Sequence, residues 1–218
     1  MVSAILQPMV AAAKTPMIPV VSGVLMSEHV PTADQRIIMN GVPWSHFEVW
    51  LALRGEAPVP RMTYLQGDLE LMSPSRDHER ITEYLGLLIA TYCIERGIKF
   101  TPYGSWTLKK ALKNAGVESD QCYIFGPDQT KDGPDLAIEV VWTSGGIDKL
   151  EVYRRLGIGE VWLWRNGTIE IYVINGDQYQ LREVSASLPG LDVALVCSLL
   201  GEETAADAML ALRDVLRR

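Results

Sequence analysis

Apolar and polar residues change their period several times along the chain, and each change predicts an element. Ser45-His46-Phe47-Glu48 has the serine and glutamate spacing of a capping box, and it predicts a short helix through Leu53 that closes at Gly55. Met62–Leu65 and Asp68–Met72 flank Gln66-Gly67 and read as a hairpin ended by Pro74. From Asp77 to Arg96 the period lengthens. His78, Ile81, Leu85, Leu88 and Tyr92 then fall on one face of a long helix, with Gly97 as its stop. Ile98–Tyr103 and Trp106–Leu108 predict short strands, Lys109–Gly116 a basic connection, and Gln121–Phe125 a strand just after Asp120. A turn-rich loop over 126–134 leads into a strand at Asp135–Trp142 and a helix from Ile147 to Leu156, stopped by Gly157. Glu160–Trp164, Thr168–Ile174 and Gln178–Val184 then predict a meander turning at Asn166-Gly167 and Asn175-Gly176-Asp177. Two helices, near 191–200 and 203–217, end the chain. The order predicts an α/β (α+β) fold, a mixed β-sheet flanked by helices with a C-terminal β-meander. Residues 1–40 read as an irregular arm, 41–200 as the main domain and 201–218 as a C-terminal helix.

Two residues break the local rules. Glu139 stands in the otherwise apolar run Leu136-Ala137-Ile138-Glu139-Val140-Val141. An ionised side chain in a buried strand is costly unless it is paired or binds a metal. Lys149 lies in the first turn of the following helix, where the partial positive charge of the helix end disfavours a cation. Asp135 shares a strand face with Glu139, but at ~3.3 Å per residue the two stand about 13 Å apart and cannot share one ion. Asp135 reads instead as a turn or cap. Asp120 heads the preceding strand. A return through 126–134 can bring it beside Glu139 at the ~4.8 Å spacing of neighbouring strands. Two carboxylates so placed suit Mg²⁺, which takes one or two carboxylates together with waters and phosphate oxygens. A lysine beside them can orient water or stabilise phosphoryl charge.

Each of these residues also has a structural reading: Glu139 as a paired strand acid, Asp120 as a turn residue, Lys149 as a solvated helix lysine. His78 is either a satisfied core histidine or a cleft residue touching water or phosphate. Glu79 is either a favourable N-terminal charge or a further metal carboxylate. Tyr153, one turn beyond Lys149, either packs on the lysine stem or hydrogen-bonds in the cleft. Glu70 reads as the solvent side of a half-buried strand. Lys109-Lys110, Lys113, Arg154-Arg155 and Arg61 form small basic patches, read either as solvated faces or as local grips on phosphate.

Composition narrows the field. The chain has 218 residues, enough for one domain with a sizeable core. Its formal net charge of −7 counts against tight, unaided binding to nucleic acid and is compatible with a carboxylate metal site. Three scattered cysteines, with no C-x-x-C pair, argue against a disulfide framework or structural zinc and for the reducing cytoplasm. Dinucleotide, Walker and G-x-S-x-G motifs are missing. Residues 1–26 are apolar but carry no basic n-region, and Pro8, Pro16 and Pro19 interrupt them. No stretch reaches the length of a membrane span, so no membrane partner is expected. Trp162 and Trp164 read as core and dimer-interface residues.

An Asp, a Glu-containing apolar strand about twenty residues on, and a lysine together resemble the PD-(D/E)XK nuclease superfamily. The wider run is similar to the Uma-two restriction endonuclease family. That run comprises Gly67-Asp68-Leu69-Glu70-Leu71-Met72-Ser73-Pro74, His78, Pro134-Asp135-Leu136-Ala137-Ile138-Glu139-Val140, Lys149, Tyr153, Gly157 and Glu160-Val161-Trp162-Leu163-Trp164. The likeness spans roughly 44–190. It implies a restriction-endonuclease-like core and an endonuclease using Mg²⁺ or Mn²⁺, held by Asp120, Glu139 and the Val140 backbone carbonyl. Lys149 would orient the attacking water, and His78, Glu79 and Tyr153 would be accessory. It further implies a nucleic-acid substrate, DNA favoured, and a homodimer. Two departures stand out: Val141 occupies the usual position of the lysine, and Ser119 precedes Asp120 where a proline is expected. The rival reading is a catalytically inactive nuclease-fold dimer serving as an interaction or nucleic-acid-binding module. A phosphoesterase acting on small substrates would share the same site.

Overall fold

The computed structural model of the protein describes residues 32–218; the apolar stretch 1–26 lies outside them. Two sheets form, where the sequence predicts one. In the first, β1 (Gln35–Met39), β3 (Asp68–Ser73), β2 (Arg61–Leu65), β6 (Ala115–Glu118) and β5 (Thr107–Lys110) lie side by side in that order, all antiparallel. In the second, the order is β11 (Gln178–Arg182), β10 (Thr168–Asn175), β9 (Glu160–Arg165), β8 (Leu136–Val140), β7 (Gln121–Phe125) and β4 (Phe100–Pro102). Only β8 and β9 run parallel there, joined through α3 (Lys149–Leu156), and β9, β10 and β11 form the expected meander. The whole is an α+β fold, completed by α1 (Trp44–Arg54), α2 (Arg76–Glu95), α4 (Val193–Leu199) and α5 (Ala205–Leu216).

Local signals account for most elements. Gln66 and Gly67 both adopt positive φ, as do Asn166 and Gly167, which gives the tight turns that match strand twist. Ser75 caps α2 by accepting from the His78 amide, and Gly97 follows the helix with φ +65°. The capping box at Ser45 does not form. α1 begins at Trp44, with Pro43 at the N-cap position and no side-chain cap. Two strands were not legible. β1 stands at the end of the stretch read as irregular, held by pairing to β3. β6 stands where a connection was expected. It is held between β2 and β5, and Gly116 lies against Phe47, whose ring a Cβ would meet at 2.8 Å.

The second sheet is covered on both faces, so β8 is buried along its whole length. Leu136, Ile138, Val140, Trp162 and Trp164 pack against Ile81, Leu85, Leu88, Ile89 and Tyr92 of α2, and Leu212 of α5 joins that cluster. Ala137, Val161 and Leu163 turn the other way, onto Val152, Tyr153 and Leu156 of α3. Trp162 and Trp164 are thus core within one chain. Trp164 stacks on Trp142 with ring centres 5.7 Å apart. Glu139 lies on the α3 side. The chain passes from the first sheet to the second at Ser119-Asp120, between β6 and β7, and the candidate site forms at that seam.

Candidate active site

Alternation on β8 sends Glu139 toward α3, where the side chain is 1 % exposed. Lys149 is the first residue of α3, behind the Asp148 cap, and its ammonium forms an ion pair with Glu139 Oε2. Tyr153, one turn on, donates its hydroxyl to Glu139 Oε1. Lys149 thus reaches Glu139 from the helix, and of the two readings of Tyr153 the structure shows the hydrogen-bonding one. Burial pushes the Glu139 carboxyl up and Lys149 pulls it back. The Asp120 charge adds to the rise, and the outcome is about 7. Burial also lowers Lys149, but Glu139 and Asp120 outweigh it and hold the ammonium protonated.

Asp120 occupies the seam, with its side chain fully buried. Its Oδ2 accepts from the Val140 amide at 2.8 Å, so it reaches the residue beside Glu139. Within a strand, a residue's N–H and C=O point to the same edge. The Val140 carbonyl therefore turns toward Asp120 as well. Arg61, at the start of β2, donates to Asp120 Oδ1 at 2.5 Å and to Glu79 at 2.9 Å. His78 lies between two acids, Nε2 at 3.1 Å from Asp120 Oδ2 and Nδ1 at 3.1 Å from Asp34 Oδ2. Burial alone would lower the imidazole, but the hydrogen bonds to Asp120 and Asp34 raise it to about 9. Burial likewise opposes ionisation of Asp120, yet His78, Lys149 and Arg61 prevail and hold its carboxyl well below the usual range.

Beside Glu139 opens a cleft of about 660 Å³ between the two sheets. Its walls include Arg36, Glu70, Glu139, Trp142, Lys149 and Arg165. His78 does not line the cleft. It is enclosed behind Asp120, so it props that acid and does not meet a substrate directly. Glu79 stays partly exposed and pairs with Arg61. Glu70 corrects the sequence reading: it is 2 % exposed, faces the cleft, and pairs with Arg36. Asp135 is a turn acid, accepting from the Phe125 amide and from Lys131. Part of the basic patches is tied down locally, and Lys109 pairs with Glu48. Arg154 and Arg155 pair with Glu151, and Lys110 donates to the Leu156 carbonyl. Asp34 and Arg36 were missed as site residues, and Arg61 was read only as part of a basic patch. No local signal marks them, since each acts on a residue at least 34 positions away.

The donor set is compatible with a hard cation. A carboxylate offers about four acceptor positions. Asp120 uses three of them, on Arg61, the Val140 amide and His78. Glu139 uses two, on Lys149 and Tyr153. By that count acceptor positions remain on both acids; Glu139 lines the cleft, and Asp120 is buried beside Val140. Among the described residues, no three His, Cys, Asp or Glu side chains converge into a metal cluster. Mg²⁺ does not require one, because it keeps several waters.

The fold and this seam define an α+β protein whose buried acid pair carries a lysine delivered from a helix. The chain belongs to the Uma2 family, described as "Putative restriction endonuclease", which it matches over residues 44–208. Among solved structures it is similar to a "putative nuclease belonging to DUF820" from Anabaena variabilis ATCC 29413. The identity is 14 % and the TM-score 0.43, over 70 % of this chain and 92 % of that one. No curated protein matches it. No helix among the described residues is long and apolar enough to cross a membrane.

Proposed function

We propose that the protein is a metal-dependent endonuclease that hydrolyses phosphodiester bonds in nucleic acid, DNA in preference. The observation that carries this reading is Glu139 paired with Lys149 in the wall of the cleft, with Asp120 buried behind them on the Val140 amide. Asp120, Glu139 and the Val140 carbonyl would hold Mg²⁺ or Mn²⁺. When bound, the ion supplies charge stabilisation at the phosphate and a more acidic water. Lys149 positions the attacking water, whose oxygen forms the new P–O bond while the bond to the leaving oxygen breaks. Its positive charge also opposes the negative charge that builds on the phosphate. Tyr153 fixes the Glu139 carboxylate, while Arg61 and His78 fix Asp120. Two chains in a dimer would address the two strands of a duplex, and the buried free thiols of Cys93 and Cys122 suit a cytoplasmic protein.

One observation favours the rival reading of a nuclease fold used only for binding: Arg61 and Lys149 already neutralise both acids. A single experiment separates the two. Purified protein is incubated with supercoiled plasmid and Mn²⁺ or Mg²⁺, and its melting temperature is followed with each ion. A nuclease nicks the plasmid and is stabilised by the ion, and both effects vanish in Glu139→Ala. A protein that neither nicks nor shifts is the binding module.

A further inference from the structure

Lys149 stands at the start of α3, so its place depends on the connection that leaves β8 at Val140. That connection contains Gly145 and Gly146, with φ of +95° and +107°. Two adjacent glycines leave a backbone that settles in one conformation only if it is tied. The ties come from the opposite sheet. Arg36 Nη1 donates to the carbonyls of Gly145 at 2.6 Å and Thr143 at 3.3 Å. Glu70 Oε2 accepts from the Ile147 amide at 3.3 Å and lies 3.3 Å from Arg36 Nε. Arg36 and Glu70 are diagonal partners on β1 and β3, since Arg36 faces Met72 and Ile38 faces Glu70. A Cβ on residue 146 would sit 2.4 Å from Glu70 Oε2, so glycine is what lets the carboxylate reach this backbone.

A buried carboxylate costs free energy wherever it stands, and here it is placed against a loop whose other end carries the lysine. We propose that Arg36 and Glu70 form a clamp, reaching across the cleft from the first sheet, that positions Lys149 over Glu139. Both are positioning residues, and their catalytic meaning rests on the nuclease reading above. A lysine carried on the strand itself would need no such support. Moved to a helix beyond a glycine pair, it does.

The test compares Arg36→Met, Glu70→Ala and Glu70→Gln with the wild type. Because both contacts of Glu70 fall on one oxygen, the glutamine amide oxygen can keep them. Arg36→Met and Glu70→Ala should lower kcat on plasmid about 10–100-fold, the usual effect of losing a residue that orients a catalytic group. The Mn²⁺-induced rise in melting temperature should stay unchanged. Glu70→Gln should recover most of kcat. Amide exchange over 143–150 should accelerate in Arg36→Met, while exchange over 136–140 does not. The Nζ resonance of Lys149, followed with [15N]lysine, should lose its protection. An unchanged Lys149 resonance in Arg36→Met overturns the clamp, as does a loosened loop with unchanged kcat. If the wild type cleaves nothing and Mn²⁺ gives no shift, the nuclease reading fails. The resonance then decides the clamp alone: its loss in Arg36→Met supports the clamp and its persistence overturns it.

Discussion

The chain Asp34–His78–Asp120 makes a quantitative prediction. His78 is 1 % exposed and hydrogen-bonded by a carboxylate on each nitrogen. Its pKa rises from 6.5 to about 9 on folding. At about 1.4 kcal/mol per pKa step, the protonated imidazole contributes about 3 kcal/mol to stability. The sign follows from the proton count. Between pH 6.5 and 9 the folded chain holds a proton on His78 that the unfolded chain has released, so stability falls as pH rises. The contribution is complete below pH 6.5 and is lost as pH passes through 9. Glu139 acts in the same direction but lower, between its ordinary value of 4.5 and about 7. The measurement therefore belongs above pH 7. Urea unfolding with EDTA present, run from pH 6 to 10 on wild type and His78→Gln, isolates the term, because the cysteines and surface lysines cancel in the difference. At pH 6 the variant should be about 3–5 kcal/mol less stable, since buried Asp34 loses its cation and Asp120 keeps only Arg61 and Lys149. That gap should narrow by about 3 kcal/mol by pH 10. A gap that stays constant across the range would refute the charged-imidazole argument. Should His78→Gln not fold, the wild-type His78 ring resonance serves instead: a midpoint at or below 6.5 gives the same refutation.

Further outcomes follow from the same contacts. Lys149→Met should reduce kcat on plasmid about 10²–10³-fold, the scale of removing one transition-state charge contact, while the metal-induced melting shift persists. Tyr153→Phe strips a buried carboxylate of a donor and should cost about 1–3 kcal/mol in urea unfolding; a loss under half of that would show Glu139 resting on Lys149 alone. Gly116→Ala drives a methyl into the Phe47 ring and should cost about 1–3 kcal/mol as overpacking, read as a lowered urea midpoint at unchanged slope. Light scattering at micromolar concentration should report a dimer, and a mass that stays near 24.2 kDa on concentrating removes the two-strand part of the proposal.

Most elements were legible because their signals are local. The helical stripe Ile81, Leu85, Leu88 and Tyr92 needs nothing beyond its own period to predict α2, and Gln66-Gly67 and Asn166-Gly167 predict their turns from the positive φ those residues tolerate. The same holds for the two anomalies, a glutamate in an apolar strand and a lysine at a helix start, which identify themselves as the places where local rules fail. β6 and β1 were not legible, because Ala115–Glu118 and Gln35–Met39 become strands only through the neighbours that pair with them. The division into two sheets, the burial of Glu70 and the enclosure of His78 were likewise decided in three dimensions. Arg61 meets Asp120 across 59 residues and Asp34 meets His78 across 44. Hydrophobic period and turn chemistry act between residues a few positions apart, and a single sequence states them directly. An ion pair acts through space over a few ångströms. Which acid finds which base is therefore settled only once the packed sheets have brought distant parts of the chain together.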